Sequence, residues 1–122
     1  NIPKLVHPEA LVDPTASLDD GVQIFARAYI GPLVEIGEGT LVNTGAVIEH
    51  ETKIGKFTTI APSVSIAGRC SIGDNVFVGI GANVADKLAI GNDTQIGAGA
   101  TVLSHIQGGV LAFGTPALPR AE

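Results

Sequence analysis

Three histidines occur in this chain, and one of them, His50, is followed directly by a carboxylate, Glu51. A carboxylate beside an imidazole fixes the tautomer of the ring and raises its basicity. Such a pair can act as a general base towards an incoming amine or hydroxyl, a role worth about 10²- to 10⁴-fold in rate. A second interpretation stays open, in which Glu51 forms a surface ion pair with Arg69 worth about 0 to 1 kcal/mol.

The other two histidines, His7 and His105, stand near opposite ends of the chain. A zinc site needs three or four ligands gathered at one point, and this spacing does not supply them. We therefore predict that the chain holds no metal.

The composition limits the function further. The chain has 122 residues and a net charge of -5, so it offers no basic stripe for nucleic acid. It has no long apolar run, which argues against a membrane partner. A single cysteine, Cys70, cannot form an internal disulfide, and this fits a cytoplasmic protein. The chain begins at Asn1 and contains no methionine, so we expect it to be part of a longer chain.

The elements that must position His50 follow from an internal repeat. Every sixth residue from 12 to 102 is aliphatic, without exception. The sixteen positions are Val12, Leu18, Ile24, Ile30, Ile36, Val42, Ile48, Ile54, Ile60, Ile66, Ile72, Val78, Val84, Ile90, Ile96 and Val102. A smaller or branched residue precedes each of them by two positions and shares its face of a strand. Cys70 occupies one of these inward positions, so we expect it to be an inert core residue.

Each repeat is thus a short strand with two inward side chains, followed by a turn with glycine, asparagine or aspartate. Such a unit buries its inner face only by coiling and stacking, which predicts an all-β parallel solenoid. Residue i then stacks on residue i+18. His50 lies at a turn of this coil, facing away from the core, with Pro32 on one side and Gly68 on the other.

The pattern resembles that of the hexapeptide-repeat proteins, whose fold is a single-stranded left-handed parallel β-helix. The resemblance becomes specific in "VNTGAVIEHETKIGKFTTIAPSVSIAG", residues 42–68, followed by "VGIGANV", "IGAGATV" and "GTPA". These phrases are similar to those of the bacterial sugar O- and N-acyltransferases. The likeness is greatest to the UDP-4-amino-sugar N-acetyltransferases and also extends to the sialic acid O-acetyltransferases.

The resemblance implies an acetyl-CoA-dependent enzyme of bacterial glycan biosynthesis that works as a homotrimer. His50 is then the general base, Glu51 tunes it, and Asn43 lies near the site. Positions that match the acetyl-CoA groove are Thr59, Gly68, Gly79, Ile80, Gly97, Ala98 and Gly114. Many members have a histidine where this chain has Thr59.

We therefore predict about five coils over residues 12–106, preceded by a linker or cap at 1–11. A tail at 107–122 should contact the cofactor or the last coil. The predicted reaction is N-acetylation of a nucleotide-linked amino sugar. Sugar O-acetylation and a non-catalytic trimeric scaffold are the alternatives. The resemblance also implies an N-terminal nucleotide-sugar-binding domain, absent from these residues.

Overall fold

The computed structural model describes residues 2–120, and these form short β-strands joined by turns. No helix occurs among the described residues, and hence none that could cross a membrane. The strands are β1 Leu5–Val6, β2 Leu11–Val12, β3 Ser17–Leu18, β4 Gln23–Ile24, β5 Tyr29–Ile30, β6 Glu35–Ile36, β7 Leu41–Val42, β8 Val47–Ile48, β9 Lys53–Ile54, β10 Thr59–Ile60, β11 Ser65–Ile66, β12 Ser71–Ile72, β13 Phe77–Val78, β14 Asn83–Val84, β15 Ala89–Ile90, β16 Gln95–Ile96, β17 Thr101–Val102, β18 Leu111–Phe113 and β19 Leu118–Arg120.

The strands form three parallel sheets that wrap around one core. The A face contains β1, β4, β7, β10, β13, β16 and β18, with β19 at its end. The B face contains β2, β5, β8, β11, β14 and β17, and the C face contains β3, β6, β9, β12 and β15. Each residue pairs with the one 18 positions later, as Thr59 does with Phe77. The predicted all-β parallel solenoid and its stacking are confirmed.

The core consists of the residues that the repeat selects. Fourteen of the sixteen aliphatic positions, from Ile24 to Val102, are at most 3% exposed. Val12 and Leu18, at the open N-terminal end, are partly buried. The large aliphatics therefore account for the burial that drives coiling.

The three edges of the solenoid are stacks of turns, named here after the faces they join. The A–B edge is centred on residues 8–9, 26–27, 44–45, 62–63, 80–81 and 98–99. The B–C edge is centred on 14–15, 32–33, 50–51, 68–69 and 86–87. The C–A edge is centred on 20–21, 38–39, 56–57, 74–75, 92–93 and 108–109.

One residue of every turn from Gly21 to Gly99 has a left-handed backbone conformation. It is the third residue after the inward aliphatic, and nine of these positions carry a side chain. The glycine directly after the aliphatic serves another purpose. A Cβ on Gly37 would lie 2.6 Å from the carbonyl carbon of Gly55, so close stacking of coils requires glycine there.

The solenoid is about one coil longer than the predicted five, because both ends extend it. Leu5–Val6 pairs with Gln23–Ile24, so residues expected in a linker or cap already wind onto the coil. Near the C-terminus, Ile106 bridges to Ile90 on the C face. Strand β18 then stacks on β16 and turns back antiparallel into β19. The last residues of the predicted tail, 121–122, lie outside the described residues.

Candidate active site

His50 and Glu51 occupy one turn of the B–C edge, between β8 and β9. Glu51 has the left-handed conformation of that turn, with φ of 62°. This backbone geometry allows two consecutive side chains to project outward and meet. The side chains of His50 and Glu51 are 47% and 40% exposed, so both are accessible.

The two side chains form a hydrogen bond of 2.9 Å between Nδ1 of His50 and Oε1 of Glu51. An ionised carboxylate only accepts, so Nδ1 of the imidazole is the donor in this contact. The proton on Nδ1 leaves Nε2 with a free lone pair. The arrangement therefore presents Nε2 as the basic atom.

Arg69, on the next coil, contacts the same carboxylate oxygen. Its Nη2 lies 3.2 Å from Oε1 of Glu51. The hydrogen bond from His50 and, next, the charge of Arg69 lower the pKa of Glu51 below its usual value. The ion pair and the His–Glu pair, weighed as alternatives from the sequence, thus exist together.

Gly68 leaves the space that the imidazole ring occupies. A Cβ added to Gly68 would lie 2.6 Å from Nε2 and 2.8 Å from Cε1 of His50, closer than real contacts allow. The imidazole therefore packs against Gly68, a position where only glycine leaves it room. The backbone N–H of Gly68 has no hydrogen-bond partner among the described residues.

Thr52 fixes the turn of Gly68 and Arg69 from inside the coil. Its hydroxyl donates to the carbonyl of Ala67 at 2.9 Å and accepts from the N–H of Cys70 at 3.1 Å. Thr52 is fully buried, and these two bonds bracket the Gly68–Arg69 pair. Thr52 lies two residues before Ile54, so the six-residue period makes it an inward residue but does not specify these hydrogen bonds.

Cys70 is 2% exposed, as the repeat predicted. Its thiol approaches the carbonyl of Ala85 at 3.1 Å, and burial raises the pKa of the thiol. Cys70 is therefore a core residue. No group of three potential metal ligands occurs within residues 2–120.

The other predicted site residues belong to a different edge. Asn43, Gly79 and Gly97 each follow an A-face strand, and Ile80 and Ala98 are turn residues of the A–B edge. The side chain of Asn43 accepts from the N–H of Thr44 at 2.9 Å, which caps its own turn.

Two further positions flank this edge. Thr59 is half-buried on the outer side of the A face, in β10. Gly114 follows β18, and its carbonyl accepts from the N–H of Thr101 at 3.0 Å, at the last coil.

The A–B edge is open along its C-terminal half. A Cβ added to Gly81 or Gly99 would meet no atom within 4 Å, and Ile80 is 56% exposed. Small residues and one exposed aliphatic side chain leave room there for an extended, partly apolar ligand.

Within one chain the B face separates these residues from His50. The turns at 44–45 and 50–51 flank strand β8 and are six residues apart, which at strand spacing is roughly 20 Å. The structure thus brings together His50, Glu51 and Gly68, and does not bring Asn43, Thr59, Gly79, Ile80, Gly97, Ala98 or Gly114 to them.

Residues 69–104 match the family model described as bacterial transferase hexapeptide (six repeats). The predicted left hand of the coil follows from this repeat. A comparison with curated protein sequences found no match.

Two solved structures resemble the chain over nearly its whole length. One is a histidine-to-alanine variant of GDP-perosamine N-acetyltransferase from Caulobacter crescentus, in complex with CoA and GDP-perosamine. It is 35% identical with a TM-score of 0.98, over 99% of this chain and 58% of that one. The other is the acetyltransferase domain of PglB from Neisseria gonorrhoeae FA1090, in complex with acetyl coenzyme A. It is 31% identical with a TM-score of 0.96, over 98% of this chain and 58% of that one.

This chain therefore spans 58% of the length of each of the two chains in those structures. The family match confirms the predicted hexapeptide repeat, and the two solved structures confirm the predicted likeness to sugar N-acetyltransferases. The chain carries the repeat of the bacterial hexapeptide transferases and has the β-solenoid of sugar N-acetyltransferases.

Proposed function

We propose that this chain is the acetyl-transfer domain of an acetyl-CoA-dependent N-acetyltransferase acting on a nucleotide-linked amino sugar in bacterial glycan biosynthesis. The observation that carries the proposal is the 2.9 Å bond from His50 Nδ1 to Glu51, which leaves Nε2 free beside Gly68. Amino-sugar acetylation is favoured over O-acetylation because GDP-perosamine N-acetyltransferase is among the similar proteins.

The reaction follows from this geometry. The sugar amine attacks the thioester carbonyl carbon while Nε2 of His50 takes a proton from the amine. Glu51 stabilises the imidazolium that forms, and we propose the unpaired N–H of Gly68 as a donor to the tetrahedral oxyanion. When the C–S bond breaks, the proton passes from Nε2 to the CoA sulfur, which restores the base.

Acetyl-CoA is a substrate here, and its place is supported by the open A–B edge. Gly79, Ile80, Gly97 and Ala98 offer a surface on which the pantetheine arm can approach the backbone. We propose that Thr59 and Gly114 flank this surface. The thioester must still reach His50, across the B face of the same chain.

In a homotrimer, the acetyl group and the histidine can come from two neighbouring subunits, so the distance within one chain no longer matters. If the A–B edge of one subunit faces the B–C edge of its neighbour, the acetyl group held by one chain reaches the His50 of another. Asn43 then enters the site from the neighbouring subunit. Phe25 and Phe77, 36% and 48% exposed on the A-face side, supply apolar surface for such packing.

We further propose that the whole protein carries an N-terminal nucleotide-sugar-binding domain and acts in the cytoplasm. The buried free cysteine fits a reducing compartment. The sugar would then be held mainly outside residues 2–120, and acetyl-CoA by the solenoid.

The test compares His50→Ala with His105→Ala in the natural full-length protein, using UDP- and GDP-linked amino sugars as acceptors. His50→Ala should lower kcat by about 10²-fold or more and still bind acetyl-CoA in calorimetry. His105→Ala should retain turnover. A folded trimer that binds no acetyl-CoA would instead favour the non-catalytic scaffold, and full activity of His50→Ala would reject the base assignment.

A further inference from the structure

We infer that Arg69 is a positioning residue that limits how strongly Glu51 holds a proton on His50. The inference rests on the proposed function for its catalytic meaning. Oε1 of Glu51 accepts from Nδ1 of His50 at 2.9 Å and lies 3.2 Å from Nη2 of Arg69. One oxygen atom thus serves both partners.

The backbone holds these three residues in register. The N–H of Arg69 donates to the carbonyl of His50 at 2.9 Å, and Thr52 brackets the turn of Arg69 from inside. Gly68 packs against the imidazole ring, and the guanidinium of Arg69 contacts the carboxylate. Two consecutive residues of one coil therefore complement two consecutive residues of the coil before it.

Other charged groups also lie near this cluster. The coil on the other side presents the uncharged Pro32 and Leu33, and Glu49 precedes His50 in the chain. The groove beside Glu51 and Arg69 contains Glu35 and Lys53 of the C face. Beyond Arg69 on the same edge lie Asp86, Lys87 and His105.

Arg69 is the cation in direct contact with the carboxylate among the described residues. It competes with the imidazole for Oε1 and repels an imidazolium. Both effects favour the neutral ring, which is the form that can accept a proton. The arginine therefore keeps the base available at lower pH.

The test measures kcat/KM against pH for wild type, Arg69→Gln and Arg69→Lys in the full-length protein. Arg69→Gln should move the acid limb measurably to higher pH, with little change on the alkaline plateau. Arg69→Lys, which keeps the charge, should return the limb towards the wild-type position. The unfolding temperature of each variant should change by less than about 2 °C, because the ion pair is exposed.

Two controls separate the contact of Arg69 with Glu51 from the loss of any positive charge on the surface. Arg27→Gln removes an arginine from the equivalent turn position of the A–B edge, where its Nε is 4.0 Å from Glu9. Lys87→Gln removes the next cation along the B–C edge. Neither should move the acid limb as far as Arg69→Gln. An equal shift in a control, or an unmoved limb in Arg69→Gln, overturns the inference.

A measurement made without substrate keeps this test independent of the proposed reaction. The ring resonances of His50, identified with a His50→Asn variant, can be followed by NMR from pH 5 to 8. In Arg69→Gln they should change at higher pH than in wild type. If no acceptor sugar is acetylated but the resonances move, the reaction is wrong and the role of Arg69 stands. If acetylation proceeds and the resonances do not move, the proposed reaction stands and the role of Arg69 is wrong.

Discussion

The A–B and B–C edges can be compared directly around strand β8, which has turn 44–45 at one end and turn 50–51 at the other. Both turns have the same backbone, with a left-handed residue at Gly45 and Glu51. Turn 44–45 carries a threonine and a glycine, and turn 50–51 carries the His50–Glu51 pair.

The inner sides of the two edges also differ. The inward positions behind the A–B edge are small or β-branched apolar residues: Ala28, Ala46, Val64, Ala82 and Ala100. Behind the B–C edge, Thr52 and Cys70 have polar contacts to neighbouring coils. The fold accepts apolar or polar residues at these inward positions, because the buried aliphatics and the turn geometry are the same at both edges. Thr40 and Thr58 make the same kind of contact behind the C–A edge, so the exposed turn residues are what distinguish the B–C edge.

Replacing Gly68 by alanine should have the largest effect on the B–C edge. The backbone of Gly68 is not left-handed, so the added Cβ conflicts mainly with the ring of His50. We expect the displaced base to lower kcat by about 10²-fold, with little loss of stability. Steady-state kinetics and thermal unfolding measure the two effects.

The matched control is Asp86→Ala, which changes the equivalent exposed position one coil further along. It should retain turnover. Equal kcat values for wild type and Gly68→Ala would show that the observed ring position is unimportant.

A change behind the same edge tests its polar support. Thr52→Val keeps the volume but leaves the carbonyl of Ala67 and the N–H of Cys70 unpaired. We expect a loss of about 2 kcal/mol in the free energy of unfolding, measured by denaturant titration. Thr44→Val, the same substitution on the exposed A–B turn, should change stability by less than about 0.5 kcal/mol. Similar losses in both variants would remove the distinction between the two edges.

Replacing Glu51 by glutamine should have a smaller effect on turnover than loss of the base. Glutamine still contacts the ring but cannot stabilise an imidazolium by charge, so we expect kcat to fall, though by less than in His50→Ala. A variant that retains full kcat would leave Glu51 with only its ion pair to Arg69.

The same pair predicts a pH dependence of stability. The pKa of Glu51 is lowered in the folded state, mainly by the hydrogen bond from His50. Its stabilising contribution is therefore present above the unfolded-state pKa and is lost as pH falls through the folded-state value. The difference in unfolding temperature between wild type and Glu51→Gln should shrink between pH 6 and about pH 3. A difference that is constant over this range would contradict the assignment.

The smallest effect is expected at Lys87, a left-handed turn residue whose contact with the site is a backbone hydrogen bond to Gly68 that glycine would keep. Lys87 has φ of 60°, and glycine adopts this conformation without steric cost. The unfolded chain gains entropy with glycine, so the two terms nearly cancel. Lys87→Gly should therefore change the free energy of unfolding by less than about 1 kcal/mol, measured by denaturant titration. A larger loss would mean that the lysine side chain stabilises the B–C edge.

Much of the fold could be predicted because one physical period governs it. Aliphatic residues at every sixth position fixed the inward faces, and stacking at 18 residues placed Gly68 and Arg69 next to His50 and Glu51. The two ends were harder to predict. Val6 lies one period before Val12, so the sequence did carry a signal for β1 that the prediction did not use. Leu111–Phe113 departs from the period and has little sequence signal.

The site was predictable in position and less so in detail. A period assigns a residue to an edge, and it does not say which carboxylate oxygen a neighbour contacts. Hence the sharing of Oε1 between His50 and Arg69 appears only in three dimensions. The role of Thr52 depends on hydroxyl direction, which sequence spacing does not specify.

The stacking of coils also restricts how chain length can change near the site. Six residues advance the chain by one edge, and 18 complete a revolution, as in the pairing of Thr59 with Phe77. A six-residue insertion between Glu51 and Gly68 would carry Gly68 and Arg69 to the C–A edge. An 18-residue insertion would restore their angular phase but place a foreign coil between them and His50. The length of the coil between residues 51 and 68 is thus fixed, and added residues there keep the site together only if they loop out at a turn.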